Sequence, residues 1–350
     1  MKINKKDIPL DQFIEFALYD KINGYYMKKN PFGKEGDFIT APNITRLFSE
    51  IIAIWVLTFW KSIGSPKKFN LLELGAGNGE MIKVIIETLI NFPECFNNCN
   101  FQIHEKSELL KKQQQLNLKS KKITWIDDIK INNSYPTVFL ANEFFDALPI
   151  KQFFKRKEGW VERFVNFKDE KNAEFDEHPI NIKDIEQDLS FEISKDQEII
   201  EYSPSSFEYL KDVSNLIKKN DGGILIIDYG YLNLKMKETL QAIKNHKHSN
   251  LLENIGDSDI TYNINFSLFK RFIDQFDDLK SMISNQKKFL TRMGIIQRAE
   301  IISENIPFSK KSDLFYRIRR LIDEKQMGEL FKVMLIKKNR NTFKTGFEID

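Results

Sequence analysis

The chain has 350 residues, 41% hydrophobic and 13% aromatic with 30 phenylalanines, which is ample material for a folded core and excludes a disordered polypeptide. Lys and Arg number 53 against 50 Asp and Glu, a net charge of +3, so the basic excess of a nucleic-acid binder is missing. Two cysteines, Cys95 and Cys99, exclude a disulfide framework, and with His104 as the only other nearby candidate they do not make a zinc site.

The first residues, MKINKKDIPLDQF, contain no apolar signal core and no arginine-rich presequence. The longest apolar run, Ile51 to Trp60, is too short for a bilayer, which needs about 20 apolar residues. A soluble, cytoplasmic protein without a transmembrane segment is expected. Residues 9–20 read as a helix with Phe13, Phe16 and Ala17 on one face and Gly24 as its stop. After a turn-rich stretch, Ile44, Leu47, Phe48, Ile51, Ile52, Trp55 and Phe59 recur at helical spacing, with Pro42 suited to the start. From Phe69 short apolar runs alternate with helical stretches: FNLLEL, FQIHE, ITWID, TVFLAN and later GGILIID. That alternation predicts a mainly parallel sheet flanked by helices. The stretch from Ile150 to Val165 predicts a hairpin turning at Lys157–Gly159. Residues 167–195 are highly charged and weakly patterned, an excursion from the sheet. ELFKVMLIKK is a strand, and NRNTFKTGFEID is a loose tail.

The stretch LLELGAGNGEM, Leu71 to Met81, joins a strand to a helix through three glycines. Such a turn brings backbone N–H groups and a helix N-terminus close to a ligand. NAD enzymes use G-x-G-x-x-G, but here Glu80 holds the last glycine position, and no P-loop lysine is present. The turn is Gly75, Ala76, Gly77, Asn78, Gly79, preceded by Glu73. A strand-end carboxylate repels a pyrophosphate and attracts a cation. S-adenosylmethionine carries a sulfonium and an ammonium and no phosphate, so Glu73 suits its amino-acid end. Glu105, closing the next strand, suits the ribose hydroxyls, and Asp127 or Asp128, closing the third, the adenine amino group. Each element alone is a common turn or cap; together they point to an S-adenosylmethionine site.

The fourth strand runs into ANEFFDALPI. Asn142, Glu143 and Asp146 stand where the reacting group belongs, beyond a strand's carboxyl end, beside Phe144 and Phe145. Two acids against an apolar wall suit a cationic acceptor such as guanidinium. The plainer reading makes Asp146 a helix cap and the two aromatic residues core. Adenine-N6 and cytosine-N4 methyltransferases have Asn or Asp, two prolines and an aromatic here; Glu143 and Phe144 replace the prolines, so nucleic acid is not the expected substrate.

Several motifs in register resemble one family, the MidA-like methyltransferases: ALYDKINGYYM, GDFITAPNITRLFSEIIAIW, LLELGAGNGEM, ANEFFDALPI, GWVERFV, GGILIIDYGY, TLQAIKNHKHSN, DITYNINF and ELFKVMLI. The family often has Glu at the place of Asn43. The resemblance implies a class I methyltransferase, Rossmann-like α/β fold: a seven-stranded, mostly parallel sheet with its last strand antiparallel, an N-terminal helical lid and insertions. It implies S-adenosylmethionine as donor. For the mitochondrial members it implies symmetric dimethylation of an arginine in a complex I core subunit, in support of assembly. It also places Gly36, Asp37, Phe38, Thr40, Pro42 and Glu50 at the cofactor pocket. The expected division is 1–66 lid, 67–150 cofactor-binding half, 151–220 hairpin and charged insertion, 221–338 second half of the core, and 339–350 tail. Asp228, Tyr229 and Gly230 are candidates for the acceptor side, and Trp160 and Arg163 for a protein contact or ordinary cross-strand roles. His246 belongs to a segment suited to closing over substrate; His246 and His248 lack flanking acids, and no metal is expected. A protein substrate is the expected partner. The competing readings are a non-catalytic assembly factor that retains the cofactor site, and a methyltransferase for a small molecule or nucleic acid.

Overall fold

The computed structural model describes residues 7–28, 31, 40–119, 122–130, 134–169, 172–244 and 247–347. Uninterrupted apolar runs need cover on both faces, which places them at the centre of a parallel sheet. Phe69–Leu74 is buried along its whole length, and Thr137–Asn142 and Gly222–Tyr231 nearly so. Alternation sends Leu72 and Leu74 into one core and Phe69 and Leu71 into the other.

These strands lie in an eight-stranded sheet. Its order is Leu279–Asn285, Phe331–Lys338, Gly222–Tyr231, Thr137–Asn142, Phe69–Leu74, Cys99–His104, Ile123–Ile126; the two-residue Ile264–Asn265 pairs with Gly222–Tyr231 off this path. The five strands from Gly222–Tyr231 to Ile123–Ile126 pair in parallel, and Phe331–Lys338 runs antiparallel to both its neighbours. The chain leaves Phe69–Leu74 in one direction, to Cys99–His104 and Ile123–Ile126, and returns on the other side at Thr137–Asn142. A crevice opens at such a reversal, outside the carboxyl ends of the strands.

The N-terminal region does not behave as one segment. Asp7–Pro9 pairs antiparallel with Gly159–Phe167 and leads into the helix Leu10–Tyr19, which buries Phe13 and Ala17 as expected, with Ile14 and Leu18. Pro42 sits in the one-turn helix Ala41–Ile44, and a separate long helix, Arg46–Ser62, starts behind Thr45. That helix is a core element: Phe48, Ile52, Trp55, Val56 and Phe59 are fully buried. The first helix packs into one core and the long helix into the other.

Four strands from residues 151–220, together with Asp7–Pro9, build a second, five-stranded sheet. Lys151–Arg156 and Gly159–Phe167 form the expected hairpin, with Arg156 opposite Gly159. The charged stretch leaves the parallel sheet, as expected, but it carries regular structure. Ala173–Ile180 pairs with Gly159–Phe167 along its full length, and Ile182–Leu189 is a helix. Residues 174–177 are exposed in succession, so both faces of the strand meet solvent there and no apolar alternation marks it. Arg163 bonds Gln152 and Glu238, each at 2.6 Å, and lies over Phe154, a cross-strand role; Trp160 stands opposite Lys155 in the same hairpin. Among the described residues no helix is long and apolar enough to cross a membrane.

The tail is packed rather than loose as far as Phe347. The Phe343 ring meets Trp55 and Phe59 edge-on at 5.7 and 5.2 Å, and Trp55 Nε1 donates to the Thr345 carbonyl at 3.2 Å. Deleting a buried Phe ring costs about 3 kcal/mol. Phe343→Ala is therefore expected to lower the denaturant midpoint clearly; an unchanged midpoint in chemical unfolding refutes this packing role.

Candidate functional site

The site grows from the end of Phe69–Leu74. Gly75, Gly77 and Gly79 all adopt positive φ, at 64°, 53° and 81°, and the helix Glu80–Leu89 follows. At Gly75 the need is double: a Cβ would also stand 2.8 Å from Phe144 Cδ2. The turn is anchored by Gly75 N–H donating to the His104 carbonyl at 2.9 Å.

Two adjoining cavities share Gly75, Gly77 and Glu143 in their walls. The smaller, about 30 Å³, is lined by Glu73, Asn142, Thr40 and Pro42. The larger, about 260 Å³, is lined by Glu105 and by His104, Tyr19, Tyr26, Phe144 and Tyr209.

Glu73 is 3% exposed. One oxygen accepts from the Ile82 N–H, and Oε2 has no hydrogen-bond partner. Burial pushes its carboxyl up to about 8, with the Glu105 charge adding to the shift. Glu105 is nearly as buried, and desolvation raises it too, against hydrogen bonds from Ser107 N–H at 2.9 Å and Gln114 Nε2 at 3.1 Å. Gln114 also donates to the Gly77 carbonyl and accepts from Trp125 Nε1, so one amide ties the glycine turn to the Glu105 carboxylate.

Glu143 has φ of +51°, uncommon for a residue with a side chain and costing of order 1–3 kcal/mol. Its Oε1 accepts from the Ala41 N–H and from Asn142 Nδ2, both at 3.3 Å. Burial, then the Asp146 charge, lifts it to about 7. Asn142 Oδ1 is buried without a partner. The segment around Thr40 is fastened to the glycine turn by side chains: Asn78 donates to Asn43 at 3.0 Å, and Asn43 to Thr40 Oγ1 at 2.8 Å.

Several expected site residues are elsewhere. Asp146 does not line either cavity. Its Oδ2 accepts from Tyr229 and, at 2.9 Å, from Thr261 Oγ1, turning the carboxylate inward. Asp228, fully buried, accepts the N–H groups of Phe145 and Asp146 at 3.1 and 3.3 Å. The buried pair thus holds the turn that presents Glu143, and Tyr229 acts through Asp146. Asp127 is exposed and paired with Lys111 at 2.8 Å, and Asp128 accepts the Lys130 N–H, so neither faces the crevice. Glu50 pairs with Arg46 and Arg298, each at 3.0 Å, along the outside of the core helix. Gly36, Asp37, Phe38 and His246 lie outside the described residues. His248 is exposed on a short strand. The residues not anticipated are Gln114, His104, Tyr19, Tyr26 and Tyr209. His104 Nε2 lies 2.8 Å from the Tyr209 hydroxyl and Nδ1 3.1 Å from the Ile126 carbonyl. Only His104, adjoining Glu105 on the strand end, carried a local signal.

The cavities therefore combine unpartnered buried acceptors, a glycine cradle and aromatic walls. That donor set suits a ligand with a cationic end, ribose hydroxyls and a flat base. Comparison with known proteins agrees. A sequence profile described as "Putative S-adenosyl-L-methionine-dependent methyltransferase" matches residues 51–283. The human mitochondrial protein arginine methyltransferase NDUFAF7 is 27% identical over 350 residues, covering 93% of this chain and 78% of that protein. The Xenopus tropicalis counterpart is 27% identical over 352 residues, covering 93% and 81%. A crystal structure of a Burkholderia thailandensis protein bound to S-adenosyl-homocysteine superposes with a TM-score of 0.81 at 23% identity, covering 98% of this chain and 89% of that one, which establishes a common α/β methyltransferase fold. With S-adenosylmethionine as its cofactor, the chain belongs to this S-adenosyl-L-methionine-dependent methyltransferase family.

Proposed function

We propose that this methyltransferase modifies an arginine of a protein, with symmetric dimethylation of a respiratory complex I core subunit, in support of its assembly, as the favoured reaction. The observation that carries the reading is Glu143, a carboxylate on the wall common to both cavities and held there against backbone preference. The relatives named as protein arginine methyltransferases match along 93% of the chain and support the acceptor type. The N-terminal segment around Thr40 and Pro42 serves as the lid in this reading.

When bound, S-adenosylmethionine supplies an electrophilic methyl group for in-line displacement by nitrogen. Glu73 and Asn142 hold its amino-acid end with the two acceptors that lack partners. Glu105 accepts the ribose hydroxyls, its carboxylate kept in place by Gln114 and Ser107. Glu143 accepts N–H groups of the guanidinium and aims one nitrogen. A guanidinium, with pKa above about 12, has to give up a proton. A carboxyl raised to about 7 is a better proton acceptor than an ordinary glutamate. Asp146, Asp228 and Tyr229 are positioning residues. Most of the acceleration comes from alignment and exclusion of water.

Glu143→Gln is expected to abolish transfer while leaving donor affinity nearly intact; undiminished turnover removes Glu143 from the acceptor site. Mass spectrometry of methylarginines, wild type against a deletion strain, tests the substrate: loss of one protein-bound methylarginine supports the reading, and unchanged methylarginines overturn it.

Glu73 generates a pH dependence. Its folded, ligand-free pKa is raised from 4.5 to about 8, so the native state binds more protons than the unfolded chain across that window. Glu73 therefore lowers the stability of the free protein as pH rises through the window. Glu73→Gln is expected to raise the melting temperature at pH about 8 and to change it little near pH 5. A cation at Glu73 drives its proton off, so donor affinity rises between about pH 6 and 7.5, below the usual titration of an α-amino group. Calorimetry in buffers of different ionisation heat should register proton release in wild type and less in Glu73→Gln; equal release in both contradicts the assignment.

A further inference from the structure

Among the described residues, one group of side chains of metal-ligand type is gathered outside the crevice, on the five-stranded sheet. Asp176 and His178 are two apart on the strand Ala173–Ile180, so they share a face. The register sets Asp176 opposite Phe164 and His178 opposite Glu162 on Gly159–Phe167. Asp7 stands opposite Asn166, on the far edge of that same central strand. Paired residues point to the same side, so all three ligands converge over one strand although about 170 positions separate the first from the others.

The donor atoms are close. One atom from each of Asp7, Asp176 and His178 lies within 4.8 Å of the others. His178 Nε2 is 2.7 Å from Asp7 Oδ2 and 3.9 Å from Asp176 Oδ2. Ligands at about 2.0–2.2 Å from one zinc ion stand roughly 3–4 Å apart, so small side-chain shifts suffice.

Three further facts favour a cation over a plain ion pair. The short Nε2–Asp7 contact lacks hydrogen-bond geometry, and Nε2 and Asp7 Oδ1 are both shielded from solvent without a hydrogen-bond partner. Asp176 Oδ1 takes the Glu177 N–H, which leaves Oδ2, the atom nearer the imidazole, available. The His178 ring rests on Phe164 with centroids 4.2 Å apart, which fixes the direction of Nε2. Two carboxylates carry charge enough for a divalent ion, and Glu162 opposite is already matched by Lys151 at 2.5 Å. A mixed nitrogen and oxygen set suits zinc or manganese.

We propose that Asp7, Asp176 and His178 form a divalent-cation site, with water completing the coordination, that clips the first strand to Ala173–Ile180. Asp7–Pro9 runs directly into the helix whose Glu15 and Tyr19 line the larger cavity, so the clip steadies one wall of the crevice.

The test is calorimetric titration of the untagged full chain with ZnCl2, and separately MnCl2, after exhaustive chelation. The expected result is one ion per chain for wild type and affinity weakened by about tenfold or more in both His178→Ala and Asp176→Asn. Zinc should also raise the wild-type melting temperature and leave both variants unmoved. Asp176→Asn preserves shape at an exposed position and guards against misfolding of the histidine variant; an unchanged circular dichroism spectrum confirms that each variant is folded. Absence of binding in wild type means a simple histidine–aspartate pair, and equal binding in the variants means an ion held elsewhere; either result overturns the proposal.

Discussion

A carboxylate removed from water needs a partner, and three of them at neighbouring strand ends share one crevice here. Among the described residues, Glu73, Glu105 and Glu143 are balanced by backbone and amide donors, not by a lysine or arginine salt bridge. Their ionised forms are disfavoured until positive charge arrives. A site built this way selects a cationic ligand and disfavours pyrophosphate, whatever the glycine turn alone would accept.

Support for that crevice comes from residues that never face it. Asp228 and Asp146 are also buried acids, but each is spent inward, on backbone N–H groups and on hydroxyls. Their hydrogen bonds hold the turn after Thr137–Asn142 in a shape that lets Glu143 keep a left-handed backbone. Phe144 in the same turn closes over Gly75, so the two strand-end turns at the sheet's reversal interlock. The glycine turn is tied on its other side by Gln114 and Asn78. A change in any of these contacts displaces the Glu143 carboxylate from the cavity wall.

The second sheet gives the N-terminus a function that its sequence does not announce. Asp7–Pro9 is only a short strand, yet it anchors the helix that carries Tyr19 into the larger cavity. The long core helix Arg46–Ser62, by contrast, serves packing, with Trp55 and Phe59 stacked at 5.1 Å and the tail laid over them.

The sequence by itself determined the class of sheet and picked out several residues that line the two cavities. Both rest on short-range pattern: alternating strands and helices, glycines where φ is positive, and acids within or just beyond an apolar run. Glu73, Gly75, Gly77, Gly79, Asn142 and Glu143 were legible for that reason, as was Glu105. Tertiary structure decided the direction in which other acids point. Asp127 and Asp128 follow Ile123–Ile126, which is the outermost strand, so their end lies away from the reversal. Asp146 turns inward because Tyr229 and Thr261, far along the chain, supply hydroxyls. Tyr19, Tyr26 and Tyr209 reach the larger cavity, and Gln114 reaches the Glu105 carboxylate, from helices whose pattern is that of ordinary packing. Charged residues 173–180 form a strand only because Gly159–Phe167 offers a complementary edge. Strand-end chemistry is written locally; the convergence of distant side chains is set by the packing that folds them together.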